Sequence, residues 1–236
     1  MFFKSKLEKA VENQKYLGFE VERNPKSVIS EAYRTLRTNI QYSSFDKKIQ
    51  TILVTSAEVA EGKSTVSGNL ALTFAENNNK VILIDCDLRK PSLHKKFKIS
   101  NMVGLSELLL GKVNLQEAVQ KHSDNLFVLT SGKLPPNPAE MLASSAMTNL
   151  LDKLKEEYDV IILDSAPVGA VTDAQILSTK VDGTILVARA QRTKRDTVLE
   201  AEDSLKKVGA NIIGCVLQGV DNLKGKYYYY YGNDGE

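Results

Sequence analysis

Two uninterrupted apolar runs constrain the fold of this chain most strongly. They are Val81–Ile84 and Val160–Leu163, and neither alternates with polar residues. Strands of this composition are buried on both faces, which is typical of the centre of a parallel sheet covered by helices on both sides. Further short apolar runs alternate with longer amphipathic segments along the chain. The pattern predicts an α/β fold with three layers, α/β/α, around a mostly parallel central sheet.

The same periodicity predicts six strands and six helices. The strands are expected at Thr51–Thr55, Val81–Asp85, Leu126–Thr130, Val160–Asp164, Gly183–Ala188 and Ile212–Leu217. The helices are expected at Ser30–Tyr42, Lys63–Glu76, Gly104–Leu110, Pro138–Glu157, Asp173–Thr179 and Thr193–Val208, with Ser30 as the first cap. We therefore expect a flexible N-terminal arm over residues 1–27, one folded domain over residues 28–218 and a mobile tyrosine-rich tail over residues 219–236.

Charge and hydropathy exclude several classes of function. The formal net charge of the 236 residues is only +2, so no large basic field predicts nucleic-acid binding. No apolar stretch approaches the roughly 20 residues that span a bilayer, and Met1–Lys4 lacks the core of a signal peptide. Cys86 and Cys215 lie in apolar runs, as buried reduced thiols do. We expect a soluble cytoplasmic protein that meets a membrane only through a partner.

A phosphate-binding loop is predicted after the first strand. The strand ends near Ser56, and the motif Glu61-Gly62-Lys63-Ser64-Thr65 then begins a helix. In a P-loop the backbone N–H groups and the helix N-terminus hold phosphate oxygens, the lysine reaches the β- and γ-phosphates and the serine hydroxyl ligates Mg²⁺. The alternative is a surface turn capped by a serine, but the strand–turn–helix context favours the P-loop.

Alanine replaces glycine at two positions of this loop. The first glycine of the usual P-loop pattern falls on Ala57, and Ala60 stands where glycine would also be easiest. If either position needs a positive φ, an alanine there costs roughly 1–2 kcal/mol. The loop must then adopt a conformation that alanine tolerates, or nucleotide binding is weakened.

Three aspartates stand at the ends of the two central strands. Asp85 and Asp87 follow Val81–Ile84, and Asp164 follows Val160–Leu163 in the form of a Walker B motif. A single such residue is most often a helix cap or a loop residue. Because the carboxyl ends of parallel strands share one edge, where ligands bind, we expect all three aspartates to meet the phosphate loop there.

A run of five tyrosines stands near the end of the chain, and Gly225, Gly232 and Asn233 flank it. Its members are Tyr227, Tyr228, Tyr229, Tyr230 and Tyr231. One interpretation is an edge strand or an aromatic patch for a partner, but five consecutive rings would face both sides of a strand. We favour the interpretation that they accept phosphoryl groups from the predicted nucleotide site. A strand ending at Leu217 leaves on the site's edge, and ten extended residues span on the order of 30 Å.

The chain resembles the bacterial tyrosine kinases, the cytoplasmic kinase module of capsule and exopolysaccharide synthesis, from about Pro25 onward. The motifs that carry the resemblance are Glu31–Arg37, Glu61–Thr65, Ile84–Pro91, Thr130–Gly132, Pro135–Pro138, Ile162–Asp164 and the terminal tyrosines. The Asp-x-Asp motif, called Walker A′, separates this family from most other P-loop proteins.

The resemblance implies roles for the site residues. Lys63 and the loop amides, from Glu61 to Thr65, would bind the phosphates of ATP. Ser64, Asp87 and Asp164 would organise Mg²⁺, while Asp85 would orient or deprotonate an incoming tyrosine hydroxyl. A phenol with a pKa near 10 is a poor nucleophile at neutral pH, so a carboxylate beside it and a cation on the γ-phosphate both assist transfer.

The resemblance also implies partners. In the family, a Glu-x-x-Arg-x-x-Arg pattern, here Glu31, Arg34 and Arg37, builds a subunit interface in a ring, an octamer, in which a neighbour's tail enters the active site. Without the resemblance, these three residues would read as a solvated charged face. A membrane-anchored activator, which is a polysaccharide co-polymerase, would recruit the kinase to the inner face of the membrane. Protein substrates would include the kinase itself.

Departures from the family pattern keep two alternatives open. Val59-Ala60 replaces Pro-Gly before the loop motif, Ser165-Ala166-Pro167 replaces Thr-Pro-Pro, and Gln218 replaces an asparagine that faces the base in related ATPases. One alternative is a partitioning-type P-loop ATPase without protein kinase activity. The other is a non-catalytic scaffold that oligomerises and presents its tyrosines to another kinase.

Overall fold

A computed structural model describes residues 18–43 and 48–220 as one sheet with helices on both faces. The strands are β1 (Thr51–Ser56), β2 (Val81–Asp85), β3 (Val119–Lys121), β4 (Leu126–Leu129), β5 (Val160–Asp164), β6 (Gly183–Arg189) and β7 (Ile212–Gln218). Within the described residues their order is β3-β4-β2-β5-β1-β6-β7. Only β3 runs antiparallel to its neighbour, so the predicted α/β class with a mostly parallel sheet is confirmed.

The helices of the described residues are short at the edges of the fold and long over its faces. They are α1 (Glu20–Arg23), α2 (Val28–Gln41), α3 (Lys63–Glu76), α4 (Leu93–Phe97), α5 (Leu105–Leu109), α6 (Leu115–Ala118), α7 (Pro138–Ala143), α8 (Ser145–Glu157), α9 (Asp173–Ser178) and α10 (Arg195–Lys206). None of these described helices has both the length and the apolar character needed to cross a membrane.

The two continuous apolar runs form central strands, as predicted. Every residue of β2 and of β5 is buried, and the two strands pair in parallel with Asp85 opposite Asp164. Successive side chains of a strand point to opposite faces. Leu83 accordingly packs in the cluster that contains Leu70 of α3, whereas Ile82 packs in the cluster that contains Leu151 of α8. The core is therefore divided by the sheet into two layers.

Several element boundaries differ from the prediction for local reasons. Helix α2 begins one turn early because Ser27, not Ser30, caps it, and the Ser27 hydroxyl accepts from the backbone N–H of Ser30. The helix expected over Pro138–Glu157 is divided at Ser144, whose backbone is extended (φ −62°, ψ 157°) and whose side chain caps α8. The short elements α1, α4, α6 and β3 were not predicted, since so few residues carry little periodicity.

The expectation of a loose arm over residues 1–27 is wrong for its described part. Phe19 and Val21 are buried in the core cluster beneath α3, and the N–H of Val21 donates to Asn69 Oδ1 at 3.0 Å. The sequence did not indicate this packing, because a single turn with two apolar residues among polar ones looks like an unstructured chain end. The folded unit therefore includes residues 18–27, and residues 1–17 lie outside the described structure.

Candidate active site

The loop between β1 and α3 is shaped by its own hydrogen bonds. Gly62 begins α3 with φ +96°, and Ala60 also has a positive φ of +61°. The Ser56 hydroxyl donates to the carbonyl of Glu58 at 2.7 Å. Glu61 accepts from the N–H of Glu58 at 2.9 Å and from the hydroxyl of Thr193. Because the Glu61 side chain is fully buried, it holds the loop rather than facing a ligand.

A cleft of about 720 Å³ opens above this loop, at the carboxyl edge of the sheet. Its walls bring together the N-terminus of α3 and the segment that follows β2. The polar side chains that line it belong to Lys63, Ser64, Thr65, Asp87, Arg89, Lys90, Ser92, Lys96 and Arg189. The edge predicted from strand polarity is thus where the cleft lies.

Lys63 and Asp87 form an ion pair inside the cleft. The Lys63 ammonium lies 2.9 Å from Asp87 Oδ2, and both side chains are largely buried. Burial disfavours the ammonium, but the carboxylates of Asp164 and Asp87 outweigh it and raise the pKa of Lys63 above its usual range. Lys63 is therefore a fixed cation at the helix N-terminus, where anions bind.

Asp164 carries a buried oxygen that no described residue satisfies. Its Oδ1 accepts from the Ser67 hydroxyl at 3.1 Å, whereas Oδ2 is buried without a hydrogen-bond partner in the described part of the chain. Burial raises the pKa of Asp164, and the positive charge of Lys63 is the largest effect that opposes the rise. Buried polar atoms normally have partners, so an orphaned carboxylate oxygen here indicates a missing cation or water.

The donor set fits Mg²⁺ in the form that accompanies a nucleotide. The described residues contain no group of three or more acidic, histidine or cysteine side chains that could hold a metal ion. Mg²⁺ commonly takes only one or two carboxylates and completes its shell with phosphates and waters. Ser64, Asp87 and Asp164 supply oxygen donors of that kind beside the cleft.

Asp85 lies below the cleft and holds the segment after β2. Its Oδ2 accepts from the N–H groups of Ser92 at 3.1 Å and Leu93 at 3.0 Å, and its Oδ1 accepts from the N–H of Asp87 at 3.3 Å. Burial, reinforced by the charge of Asp164, raises the pKa of Asp85 to about 8. The side chain is fully buried, so the described conformation does not expose it to an incoming hydroxyl.

Gln218, the predicted base-facing residue, lies behind the loop at the end of β7. Its side-chain carbons lie against Gly62, where an added Cβ would be 3.4 Å from Gln218 Cγ. Its amide, as oriented, donates to the Tyr33 hydroxyl of α2 at 2.7 Å. The structure thus connects the phosphate loop to α2 through one glutamine.

The residues predicted for an oligomer interface bond within the chain. Arg34 contacts Glu31 at 2.6 Å and Glu76 of α3 at 3.2 Å, and Arg37 donates to the carbonyl of Thr73 at 2.8 Å. Glu31 is the exposed member of the three. Its side chain is 56% exposed, against 25% for Arg34, and Arg37 is half-buried. The five tyrosines, Tyr227–Tyr231, lie outside the described residues.

Two further cleft residues escaped the sequence analysis as site residues. Arg89 forms a bidentate pair with the buried Asp173, at 2.8 and 3.0 Å, which ties the segment after β2 to α9. Lys96 of α4 donates to the Thr65 hydroxyl at 3.0 Å. Arg89 belongs to a quoted motif and could have been flagged, but nothing local distinguishes Lys96 from Lys95.

The fold and the cleft define a P-loop nucleotide-binding protein of the α/β class. A family model described as an AAA domain matches residues 49–198. The chain is 42% identical to the tyrosine-protein kinase YwqD of Bacillus subtilis, over 93% of this chain and 95% of that one. It is 39% identical to the putative tyrosine-protein kinase CapB of Staphylococcus aureus, over 91% and 95%. These relatives place it in a family: the chain belongs to the bacterial tyrosine-protein kinases.

Solved structures agree with this assignment. The kinase domain of the Escherichia coli tyrosine kinase ETK superposes with a TM-score of 0.83 at 36% identity, over 86% of this chain and 80% of that one. The septum site-determining protein MinD of Pyrococcus horikoshii, complexed with Mg-ADP, has a TM-score of 0.60 at 25% identity, over 71% and 69%. The tyrosine kinase is thus the nearer of these two neighbours in both sequence and fold.

Proposed function

We propose that the chain is an ATP- and Mg²⁺-dependent protein-tyrosine kinase that phosphorylates its own terminal tyrosines between subunits. The observation that carries the proposal is that Lys63 and Asp87 line one cleft, while the buried, unsatisfied oxygen of Asp164 lies close enough for the charge of Asp164 to act on both. Membership of the tyrosine kinase family supports the reaction, and the Mg-ADP complex of MinD supports the ligand. Because the chain is also similar to MinD, the experiment must exclude an ATPase without kinase activity.

The chain's own residues divide the work of phosphoryl transfer. Lys63 and the N–H groups at the start of α3 hold phosphate oxygens, because both are fixed positive groups on the cleft wall. Ser64, Asp87 and Asp164 would hold Mg²⁺, which neutralises charge on the transferred group when bound. Lys63 donates to Asp87 Oδ2 in the described conformation, and an ammonium has two further N–H groups with which it can meet phosphate oxygens.

Asp85 and Asp87 differ in access to an acceptor hydroxyl. Asp87 lines the cleft, whereas Asp85 reaches it only if the bonds from Ser92 and Leu93 are released. Assigning Asp85 to orient the tyrosine therefore requires the segment after β2 to rearrange. In the described conformation, Asp85 is a positioning residue for that segment.

The acceptors are proposed to be Tyr227–Tyr231 of a neighbouring subunit. Strand β7 ends at Gln218, on the edge of the sheet that carries the cleft. Roughly ten extended residues, on the order of 30 Å, separate this point from the tyrosines. Glu31, Arg34 and Arg37 would bring subunits together in a ring, an octamer by the family resemblance. A membrane-anchored activator would recruit the ring to the inner face of the membrane for capsule or exopolysaccharide synthesis.

Incubation with γ-labelled ATP and Mg²⁺ tests the proposal. The wild-type chain is expected to gain label on tyrosine, and Lys63→Met and the five-fold Tyr227–Tyr231→Phe variant are expected to lose it. Removing Mg²⁺ with EDTA should abolish labelling of the wild type. A cytoplasmic segment of the activator is added in a parallel set, because the isolated chain can be inactive without it.

The outcomes separate the three candidate functions. Phosphate release without label on the chain identifies an ATPase. ATP binding without either activity, with the activator segment present, identifies a scaffold. Mixing Lys63→Met with the five-fold phenylalanine variant tests transfer between subunits, since only that route labels the tyrosines of the Lys63→Met chain.

A further inference from the structure

A second lysine lies on the phosphate loop side of the cleft without a counter-ion. The Lys96 ammonium donates to the Thr65 hydroxyl at 3.0 Å, in the first turn of α3. It is partly buried, and in the described part of the chain no carboxylate forms an ion pair with it. Lys63, which is also largely buried, is neutralised by Asp87, and the more exposed Arg89 pairs with Asp173.

This arrangement is costly unless an anion enters the cleft. A desolvated charge without a partner opposes folding, and a single neutral hydroxyl compensates little of that cost. Burial accordingly lowers the pKa of Lys96, and the positive charge of Lys63 contributes to the same direction. The negative charge of Asp164 opposes this only in part. Among the described residues, Lys96 is therefore a partly buried cation of the cleft that no carboxylate neutralises by direct contact.

Packing and backbone hydrogen bonds fix the position of α4, the short helix that carries Lys96. Asp85 fixes the start of α4 through the N–H groups of Ser92 and Leu93. At the other end of this short helix, the ring of Phe97 packs against Phe19, with ring centroids 4.5 Å apart. The Lys96 ammonium also lies 5.9 Å from the centroid of the Phe19 ring.

We propose that Lys96 is a phosphate ligand, whose ammonium contacts an oxygen of the di- or triphosphate chain of a nucleotide bound in the cleft. The inference rests on the proposed nucleotide-binding function and adds a residue to it. Lys96 would bind the phosphates together with Lys63 and the N-terminus of α3, from the side of the cleft where Thr65 lies. The segment around Phe19, expected to be a loose arm, then forms part of the wall that positions a binding residue.

Binding of nucleotide to the full chain tests this role without relying on catalysis. Calorimetry measures the dissociation constants of Mg·ATP and Mg·ADP for wild type, Lys96→Met and Lys96→Arg. The matched control is Lys95→Met, which removes an exposed lysine next to Lys96 on the same helix. We expect Lys96→Met to weaken binding of at least one of these nucleotides about tenfold, the scale of a hydrogen bond to a charged group. Lys96→Arg should retain most of the affinity, and Lys95→Met all of it.

Inorganic tripolyphosphate, which lacks adenosine, is the second probe. It should displace a fluorescent ATP analogue from the wild type at lower concentration than from Lys96→Met. Thermal unfolding without ligand checks that Lys96→Met is folded, and a folding defect is resolved by Lys96→Gln, which keeps a polar group near Thr65. A steeper salt dependence of binding in the wild type than in either neutral variant is expected for a contact between charges.

The result that overturns the inference is equal affinity of wild type and Lys96→Met for both nucleotides. An equal loss of affinity in Lys96→Arg and Lys96→Met also overturns it. Arginine keeps the positive charge, so such a result would mean that the shape of the lysine side chain matters and its charge does not. Failure of the proposed kinase function looks different: the wild type binds nucleotide in a Lys96-dependent way but labels no tyrosine. A wild-type chain that binds neither nucleotide nor tripolyphosphate contradicts both proposals.

Discussion

At the scale of single residues, Ala60 and Ala57 show how two similar substitutions in one loop differ. Ala60 adopts φ +61°, in the left-handed region that disfavours a Cβ, whereas Ala57 is not among the described residues with a positive φ. Ala57 is instead buried, and its carbonyl faces Gly169 closely. The expected strain thus concerns Ala60 alone. The Arg192 guanidinium lies 3.5 Å from the Ala60 carbonyl and helps hold this conformation.

Replacing Ala60 with glycine should stabilise the chain by about 1 kcal/mol, because the left-handed conformation costs an alanine roughly that much. Urea unfolding of Ala60→Gly measures the change. Ala57→Gly is the control and should destabilise by about 0.5–1 kcal/mol, since glycine only adds freedom to the unfolded chain there. Equal effects of the two substitutions would contradict the assignment of strain.

The unsatisfied oxygen of Asp164 predicts how removal of Mg²⁺ changes the melting temperature. Mg·ADP should raise the melting temperature of the wild type, since a ligand that binds only the folded state stabilises it. EDTA should remove the Mg²⁺-dependent part of that rise. Asp164→Asn should lack this part from the start, because the buried oxygen without a partner is the proposed metal contact. The idea fails if Asp164→Asn and wild type respond equally to Mg²⁺ in a thermal shift series.

At the scale of elements, α3 depends on a glycine that its helical sequence does not require. A Cβ at Gly68 would lie 2.0 Å from Cε1 and 2.2 Å from Cζ of the Phe19 ring. The absence of a side chain at Gly68 lets α1 and its preceding turn lie directly on α3. Glycine is otherwise a poor choice within a helix, by about 1 kcal/mol relative to alanine.

Gly68→Ala should therefore destabilise the chain by about 1–3 kcal/mol, as overpacking does, despite its better helix propensity. In a Phe19→Ala background the same substitution should become neutral or stabilising, because the ring that it meets is gone. Denaturant unfolding of the four chains of this double-mutant cycle measures the coupling. An additive cycle would show that the two residues do not meet.

At the scale of the whole molecule, α2 serves the fold and the proposed assembly at once. Arg34 and Arg37 tie α2 to α3 through Glu76 and the Thr73 carbonyl. Among the described residues Glu31 forms an ion pair with Arg34 alone, and its side chain is more than half exposed. The two arginines therefore stabilise the single chain. More than half of the Glu31 side chain is exposed and remains accessible to a second subunit.

Substitutions in this set should separate stability from assembly. Arg37→Ala should lower the free energy of unfolding by about 1 kcal/mol, since it removes a hydrogen bond from a charged donor. Glu31→Ala should change unfolding by less than about 0.5 kcal/mol, as exposed ion pairs are weak, yet reduce the oligomer mass. Light scattering and urea unfolding on the same samples measure both. An unchanged mass in Glu31→Ala would remove this residue from the interface.

Phosphorylation of the tail should dissociate the assembly. Each phosphotyrosine adds about −1.5 to −2 charges, so a modified tail repels itself and the acidic site that it must enter. Mass should therefore fall in light scattering as tyrosine label accumulates. The five-fold Tyr227–Tyr231→Phe chain is the control and should keep its mass with ATP. A fully labelled chain with undiminished mass would contradict this mechanism.

Much of this arrangement was predictable from local pattern. The bounds of Val81–Asp85, Val160–Asp164 and Lys63–Glu76 match the prediction, because each run is long and its period unambiguous. The cap of α2 was misplaced by one turn, since Ser27 and Ser30 are chemically equivalent candidates. Lys63, Asp87 and Asp164 lie together as expected from strand polarity, whereas the confinement of Asp85 below the cleft depends on a segment whose path has no sequence signal.

The sequence by itself determined the parallel sheet, its two central strands and the edge where the phosphate loop meets the aspartates. These follow from periodicity and from the shared direction of parallel strands, which act over a few residues. Only the tertiary structure decided that Glu61 and Asp85 hold backbone while Asp87 faces the cleft, that Phe19 packs on Gly68, and that Lys96 lies beside Thr65. Such contacts join residues distant in the chain, so packing and hydrogen-bond satisfaction select them.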